Sequence, residues 1–126
     1  MKIRLLYDDV GCWRVDSMFM TRCCVKASKC KAFKGPFPRF TSKVNYRNHR
    51  KIAIIDGRIG FIGGMNIAER YIKGFSWGIW RDTHVRMEGK GVYGLQSAFL
   101  TDWFAIDRTL LTSAEYFPKM KDNGSA

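Results

Sequence analysis

The chain has 126 residues and carries 22 Lys plus Arg against 11 Asp plus Glu, a formal charge of +11. That length admits one domain at most, large enough for a core of its own. No run approaches the ~20 apolar residues needed to cross a bilayer, and no charged-then-apolar leader is read at the start, so the chain itself is expected to be soluble or peripheral.

In chain order, a strand is expected over 3–7, a short helix over 17–26 and a strand over 30–33. A Pro-containing loop, 34–44, separates these from a hairpin over about 47–62. A helix over about 67–73 follows, then a loop at 74–78 and a strand near 83–87. Last comes an amphipathic helix from Val92 to about Ile106, with Leu95, Phe99, Leu100, Trp103 and Phe104 near helical spacing and assigned to the core. Trp77 and Trp80 fit either hydrophobic packing or the rim of a site. Alternation of strands and helices predicts an α/β fold with a mixed β-sheet flanked by helices. The domain is expected to span 1–118, with a polar tail at 119–126.

Charge is unevenly spread. No acidic residue lies between Asp16 and Asp56, while Arg22, Lys26, Lys31, Arg39, Lys43 and Arg47 are among the cations inside. Such a segment attracts anions: lipid headgroups, a membrane surface or nucleic acid. A solvated basic face is the plainer account of the part before Lys43. Phe33, Phe37 and Phe40 stand among these charges, where rings suit a bilayer interface, stack on bases or dock onto another protein segment. Cys12, Cys23, Cys24 and Cys30 contain no C-x2-C pair, so a metal site is not read from them. Reduced, buried thiols are the expectation, with disulfide pairing left open.

The densest chemistry lies at residues 49–66. Ile52, Ala53, Ile54 and Ile55 lead to Asp56-Gly57 and then to Ile59, Phe61 and Ile62, two apolar strands joined at an Asp-Gly turn. His49 and Lys51, two apart on an extended strand, would share one face and converge on one phosphate. Histidine is a nucleophile near neutral pH because much of it is unprotonated there. Lysine supplies a compact positive charge for the non-bridging phosphate oxygens. Asn66 adds a neutral donor, and Gly63 and Gly64 let the backbone approach a bound group. Asp56 stands where the turn needs positive φ, so its first role is to brace the hairpin, and it is not assigned as general base. Singly, each residue has a bland reading: surface decoration, a turn, or a loop leading to a helix with Asn66 as its N-cap. Jointly, they form H-x-K-x4-D-x6-G-G-x-N, which coincidence explains poorly.

This pattern resembles the signature of the phospholipase D superfamily, in which His49, Lys51 and Asp56 match the catalytic HKD motif. The likeness extends further. Residues 45–51 resemble the lead-in to the motif in bacterial cardiolipin synthases, and residues 63–68, 80–84, 95–103 and 3–8 are similar to other blocks of the same enzymes. The resemblance covers roughly residues 2–118 and is weakest over 12–41. It implies a phospholipase D-like half-domain with a single HKD motif, the amino-terminal of two. It also implies a phosphatidyltransferase that joins two phosphatidylglycerols and releases glycerol through a phosphohistidine, with His49 as nucleophile. Gly63, Gly64 and Asn66 would bind substrate, and Asp82 would orient His49. No metal and no cofactor is implied. The implied partners are phosphatidylglycerol, an anionic membrane surface and a second HKD half-domain or a homodimer partner, and the implied location is the bacterial cell membrane. Many superfamily members carry Ser where this chain has Gly64; the cardiolipin synthase pattern commonly carries Gly. The chain alone is expected to be inactive without a second motif. The alternative is a single-motif, homodimeric phosphodiesterase or nuclease of the same superfamily, whose partner would be nucleic acid.

Overall fold

The computed structural model describes residues 2–9, 11–12, 14–33 and 48–120. The expected loop at 34–44, with Phe37 and Phe40, lies outside these residues, as do Arg47 and the last six positions. The chain divides into two compact units, Met1–His49 with Trp103–Thr109, and Arg50–Asp102 with Leu110–Ala126.

In the first unit, β1 (Arg4–Asp8) and β2 (Lys29–Phe33) pair in parallel, Arg4 opposite Lys29 and Asp8 opposite Phe33. Parallel neighbours need a crossover, and α1 (Ser17–Lys26) supplies it. The Asp16 carboxylate caps α1 by accepting the Met18 N–H at 2.9 Å, as a short polar side chain at this position does for an orphan donor. Cys24 of α1 and Cys30 of β2 are joined by a disulfide, Cα–Cα 5.2 Å. This corrects the expectation of reduced thiols, and Cys12 and Cys23 are half-buried, not buried. Burial, with the Asp8 and Asp9 carboxylates adding to it, pushes the Cys12 thiol up from its ordinary pKa. Trp103 is fully buried, while Lys31 and Asp107 form an ion pair at 2.5 Å.

The second unit holds an antiparallel meander, β3 (Lys51–Ile55), β4 (Ile59–Gly63) and β5 (His84–Glu88), in that spatial order. Asp56 (φ 51°) and Gly57 (φ 64°) both take positive φ, and Arg58 N–H donates to Ile55 C=O at 3.0 Å. Those signs are the pattern of a type I′ turn, whose twist matches that of paired strands. Strand alternation then sorts the sheet into two faces. One face carries Ile52, Ile54, Gly60, Ile62, Val85 and Met87 and is apolar throughout. It meets α3 (Val92–Asp107): a Cβ on Gly60 would stand 2.7 Å from Leu95 Cδ1 and 3.6 Å from Val92 Cγ1. Glycine there lets the strand approach the helix. The opposite face carries Lys51, Ala53, Phe61, Gly63, His84 and Arg86.

Both strand senses expected of a mixed α/β fold are therefore present, divided between a parallel pair and an antiparallel triplet. Two expectations and one bland alternative are corrected. The helix at 67–73 is a single turn, α2 (Arg70–Lys73), opened by Glu69 and closed at Gly74 (φ 72°). Asn66 is not its N-cap, because the helix begins at Arg70 with Glu69 in the capping position. Phe104 is exposed, not core, while Val92, Leu95 and Trp103 are buried. Among the described residues no helix is long and apolar enough to cross a membrane.

Candidate active site

β3 begins at Lys51, not at His49. Asn48, just upstream, donates its N–H to Asp8 Oδ2 at 3.0 Å, which takes that donor out of any strand ladder. The other oxygen of Asp8 accepts the Gly11 N–H at 2.7 Å. A carboxylate held by two backbone donors is a firm anchor, and here it fixes the chain one residue before His49. His49 is exposed and lies outside regular secondary structure.

Arg50, between the two motif residues, turns to the helix side. Its Nη1 meets both oxygens of Asp102 on α3, at 2.9 and 2.7 Å. Alternation therefore sends Lys51 to the other face. There Lys51 pairs with Gly63, and Gly63 pairs with His84, so the three form one row across the sheet. The central position of the row has no side chain. A Cβ on Gly63 would stand 2.6 Å from His84 Nδ1 and 2.3 Å from the Thr83 carbonyl oxygen. The imidazole of His84 thus leans into the space that glycine leaves beside Lys51.

The next residue repeats the arrangement. Gly64 N–H donates to Thr83 C=O at 3.1 Å, and a Cβ on Gly64 would fall 2.2 Å from Asp82 Oδ1 and 2.7 Å from Oδ2. Gly64 and Asp82 are a matched pair, since the carboxylate fills the room a serine side chain would need. Asp82 Oδ1 also accepts the Thr83 N–H at 2.7 Å. Asn66 Nδ2 donates to the Tyr71 hydroxyl at 3.2 Å, and that hydrogen bond is the main cause holding the Tyr71 phenol below its ordinary pKa, with Arg70 a smaller contributor.

Lys51, Gly63, Gly64 and Asp82 are thus brought together at one end of the meander. Asp56 is at the other end, roughly 16 Å along the strand from Lys51, where it shapes the turn and reaches no group around Lys51. Two site residues escaped the sequence reading. His84 lies two residues after Asp82 on an extended strand, a spacing that could have placed both on one face. Tyr71, five residues after Asn66 through a non-helical stretch, offered no such signal. Among the described residues, no group of three His, Cys, Asp or Glu side chains is placed to hold a metal ion.

The sheets and helices make a mixed α/β fold, consistent with a phospholipase D-like half-domain. The chain is 40% identical over 116 residues to cardiolipin synthase 2 of Bacillus cereus, an alignment covering 90% of this chain and 23% of that protein. It is 36% identical over 118 residues to the cardiolipin synthase of Geobacillus kaustophilus, covering 92% and 24%. With the cardiolipin synthase of Listeria innocua it shares 36% over 128 residues, covering 98% and 27%. No family model and no solved structure matches the chain. The chain is thus similar to cardiolipin synthases over 90–98% of its own length, and it spans about a quarter of the length of the relatives it matches.

Proposed function

We propose that this chain supplies the amino-terminal half of a phosphatidyl-transfer site, with phosphatidylglycerol as donor and acceptor. In this reading an imidazole nitrogen of His49 attacks the phosphorus of one phosphatidylglycerol, and the bond from phosphorus to the glycerol oxygen breaks. A histidine from a second motif protonates that oxygen, and glycerol leaves. The same histidine then takes the proton from a hydroxyl of the second phosphatidylglycerol. The freed oxygen attacks phosphorus, the phosphorus–nitrogen bond breaks, and cardiolipin is released.

Lys51 stabilises the charge on the non-bridging oxygens through both steps. Asn66, with one amide hydrogen engaged by Tyr71, retains another for a phosphate oxygen. Asp82 is the proposed orienter of the His49 ring, a role in which a carboxylate stabilises the imidazolium that forms. The observation that carries the reading is the row of Lys51, Gly63 and His84, in a chain 36–40% identical to proteins named cardiolipin synthase. The second histidine belongs to another segment or another chain, so the single motif is inactive by itself. The reaction takes place at the membrane that holds its substrate.

The intermediate tests this directly. The chain, mixed with a segment of a relative that carries a second motif, is given phosphatidylglycerol vesicles and quenched in alkali, which preserves phosphohistidine. Mass spectrometry should find the phosphatidyl adduct on the peptide containing His49, and His49→Ala should abolish it. An adduct that survives this substitution contradicts the assignment of the nucleophile.

A further inference from the structure

Within residues 65–80 several large apolar side chains are exposed. Ile67 and Ile72 are each 88% exposed, Ile79 84% and Trp77 73%. A soluble surface leaves single hydrophobic residues bare without consequence, but several in one short segment ask for a reason. The loop that presents Trp77 is built, not slack. Phe75 N–H donates to Gly78 C=O at 2.7 Å, and Gly78 N–H donates back to Phe75 C=O at 3.1 Å. This reciprocal pair closes a tight turn with Trp77 at its tip. Gly74, at φ 72°, takes the left-handed conformation that starts the loop.

Behind the tip the rings are braced against one another. Phe75 stacks on Trp77 at 4.8 Å between centroids and meets Trp80 edge-on at 5.7 Å. The Arg70 guanidinium lies 5.1 Å from the centre of the Tyr71 ring and 5.9 Å from that of Trp80. Charge decides what this surface meets. Between residues 65 and 81 stand Arg70, Lys73 and Arg81 against Glu69 alone, and Glu69 is already paired with Lys73. A bare Trp at the tip with a bare Ile two residues on, amphipathic rings behind it and cations alongside are the composition of a segment that sits at the headgroup–acyl boundary of an anionic bilayer.

We propose that residues 65–81 form a membrane-docking finger that inserts Trp77 and Ile79 shallowly into an anionic bilayer. The inference rests on side-chain exposure and charge, not on the transfer chemistry, and its test needs no turnover. The full chain is mixed with vesicles of phosphatidylcholine containing a quarter phosphatidylglycerol, and with vesicles of phosphatidylcholine alone. Flotation measures binding, and acyl-chain-brominated phosphatidylcholine measures quenching of tryptophan emission.

The expected result is binding to the anionic vesicles, with quenching that falls in Trp77→Phe. Joint replacement Trp77→Ser and Ile79→Ser should weaken binding about tenfold, because it withdraws two apolar side chains from the interface. Arg70→Ala should weaken it about fivefold on anionic vesicles only. A thermal melt of each variant that matches the parent chain keeps the loss of binding from being a loss of fold. Binding left unchanged by the double replacement would mean adsorption through the basic segment elsewhere, and would overturn the proposal. So would quenching independent of Trp77, or protection of Trp77 by a second copy or by the segment carrying the second motif in the absence of lipid.

Discussion

Lys51→Ala is expected to lower phosphatidyl transfer by about two to three orders of magnitude, the usual effect of removing one preorganised group from the charge that develops on a transferring centre. The side chain is on the face of the sheet that lacks the helix, because Arg50 before it is held to Asp102 and strand alternation fixes the rest. A melt beside the kinetics separates a loss of turnover from a loss of fold. Lys51→Arg is the informative companion. It keeps the charge but replaces a compact ammonium with a broad planar fork, so it should recover only part of the rate. Steady-state kinetics of both variants, each mixed with the segment that carries the second motif, and a melt of each check this. A change of less than a few-fold in Lys51→Ala would contradict the role given to Lys51.

Gly63→Ala acts on stability. The new Cβ would stand 2.3 Å from the Thr83 carbonyl oxygen and 2.6 Å from the His84 Cα, and both are backbone atoms that cannot rotate away. The pairing of β4 with β5 must open at this end, at a cost of about 1–3 kcal/mol, as overpacking of a close contact commonly requires. Gly60→Ala is the control. Its nearest atom is the end of the Leu95 side chain, which can change rotamer, so the loss should be smaller. Denaturant unfolding of the two variants gives the comparison. Equal stability of Gly63→Ala and the parent chain would mean that β5 does not lie against Gly63 as described.

The elements themselves were largely legible in the sequence. The helix at 17–26 and the hairpin with its Asp56-Gly57 turn appear where pattern and turn chemistry put them, because each is governed by nearest neighbours along the chain. The helix at 67–73 failed for the converse reason. The helix opens at Glu69 with no side-chain cap and closes at Gly74 after a single turn, and helical spacing alone does not set those ends. The assignment of Phe104 to the core failed because helical spacing cannot say which flank of an apolar stripe is covered. His49 has the spacing of a strand residue, yet the carboxylate of Asp8 takes the Asn48 N–H, and the strand begins only at Lys51. In the site, the motif residues could be named from the sequence, whereas the row of Lys51, Gly63 and His84 depends on strand register. The pairing of Gly64 with Asp82 is likewise a tertiary fact, and it gives a steric reason for glycine at a position where a serine would collide with the carboxylate.

The central claim is that this chain holds one half of a two-motif site. Cardiolipin formation should be measured with the purified chain on phosphatidylglycerol vesicles, alone and mixed with a carboxy-terminal segment that carries the second motif, with His49→Ala as control. Cardiolipin formed only in the mixture, and lost with His49→Ala, is the predicted result. Turnover by the chain alone, abolished by the same substitution, would contradict it and would mean that two identical chains complete one site, with nucleic acid as the next substrate to try.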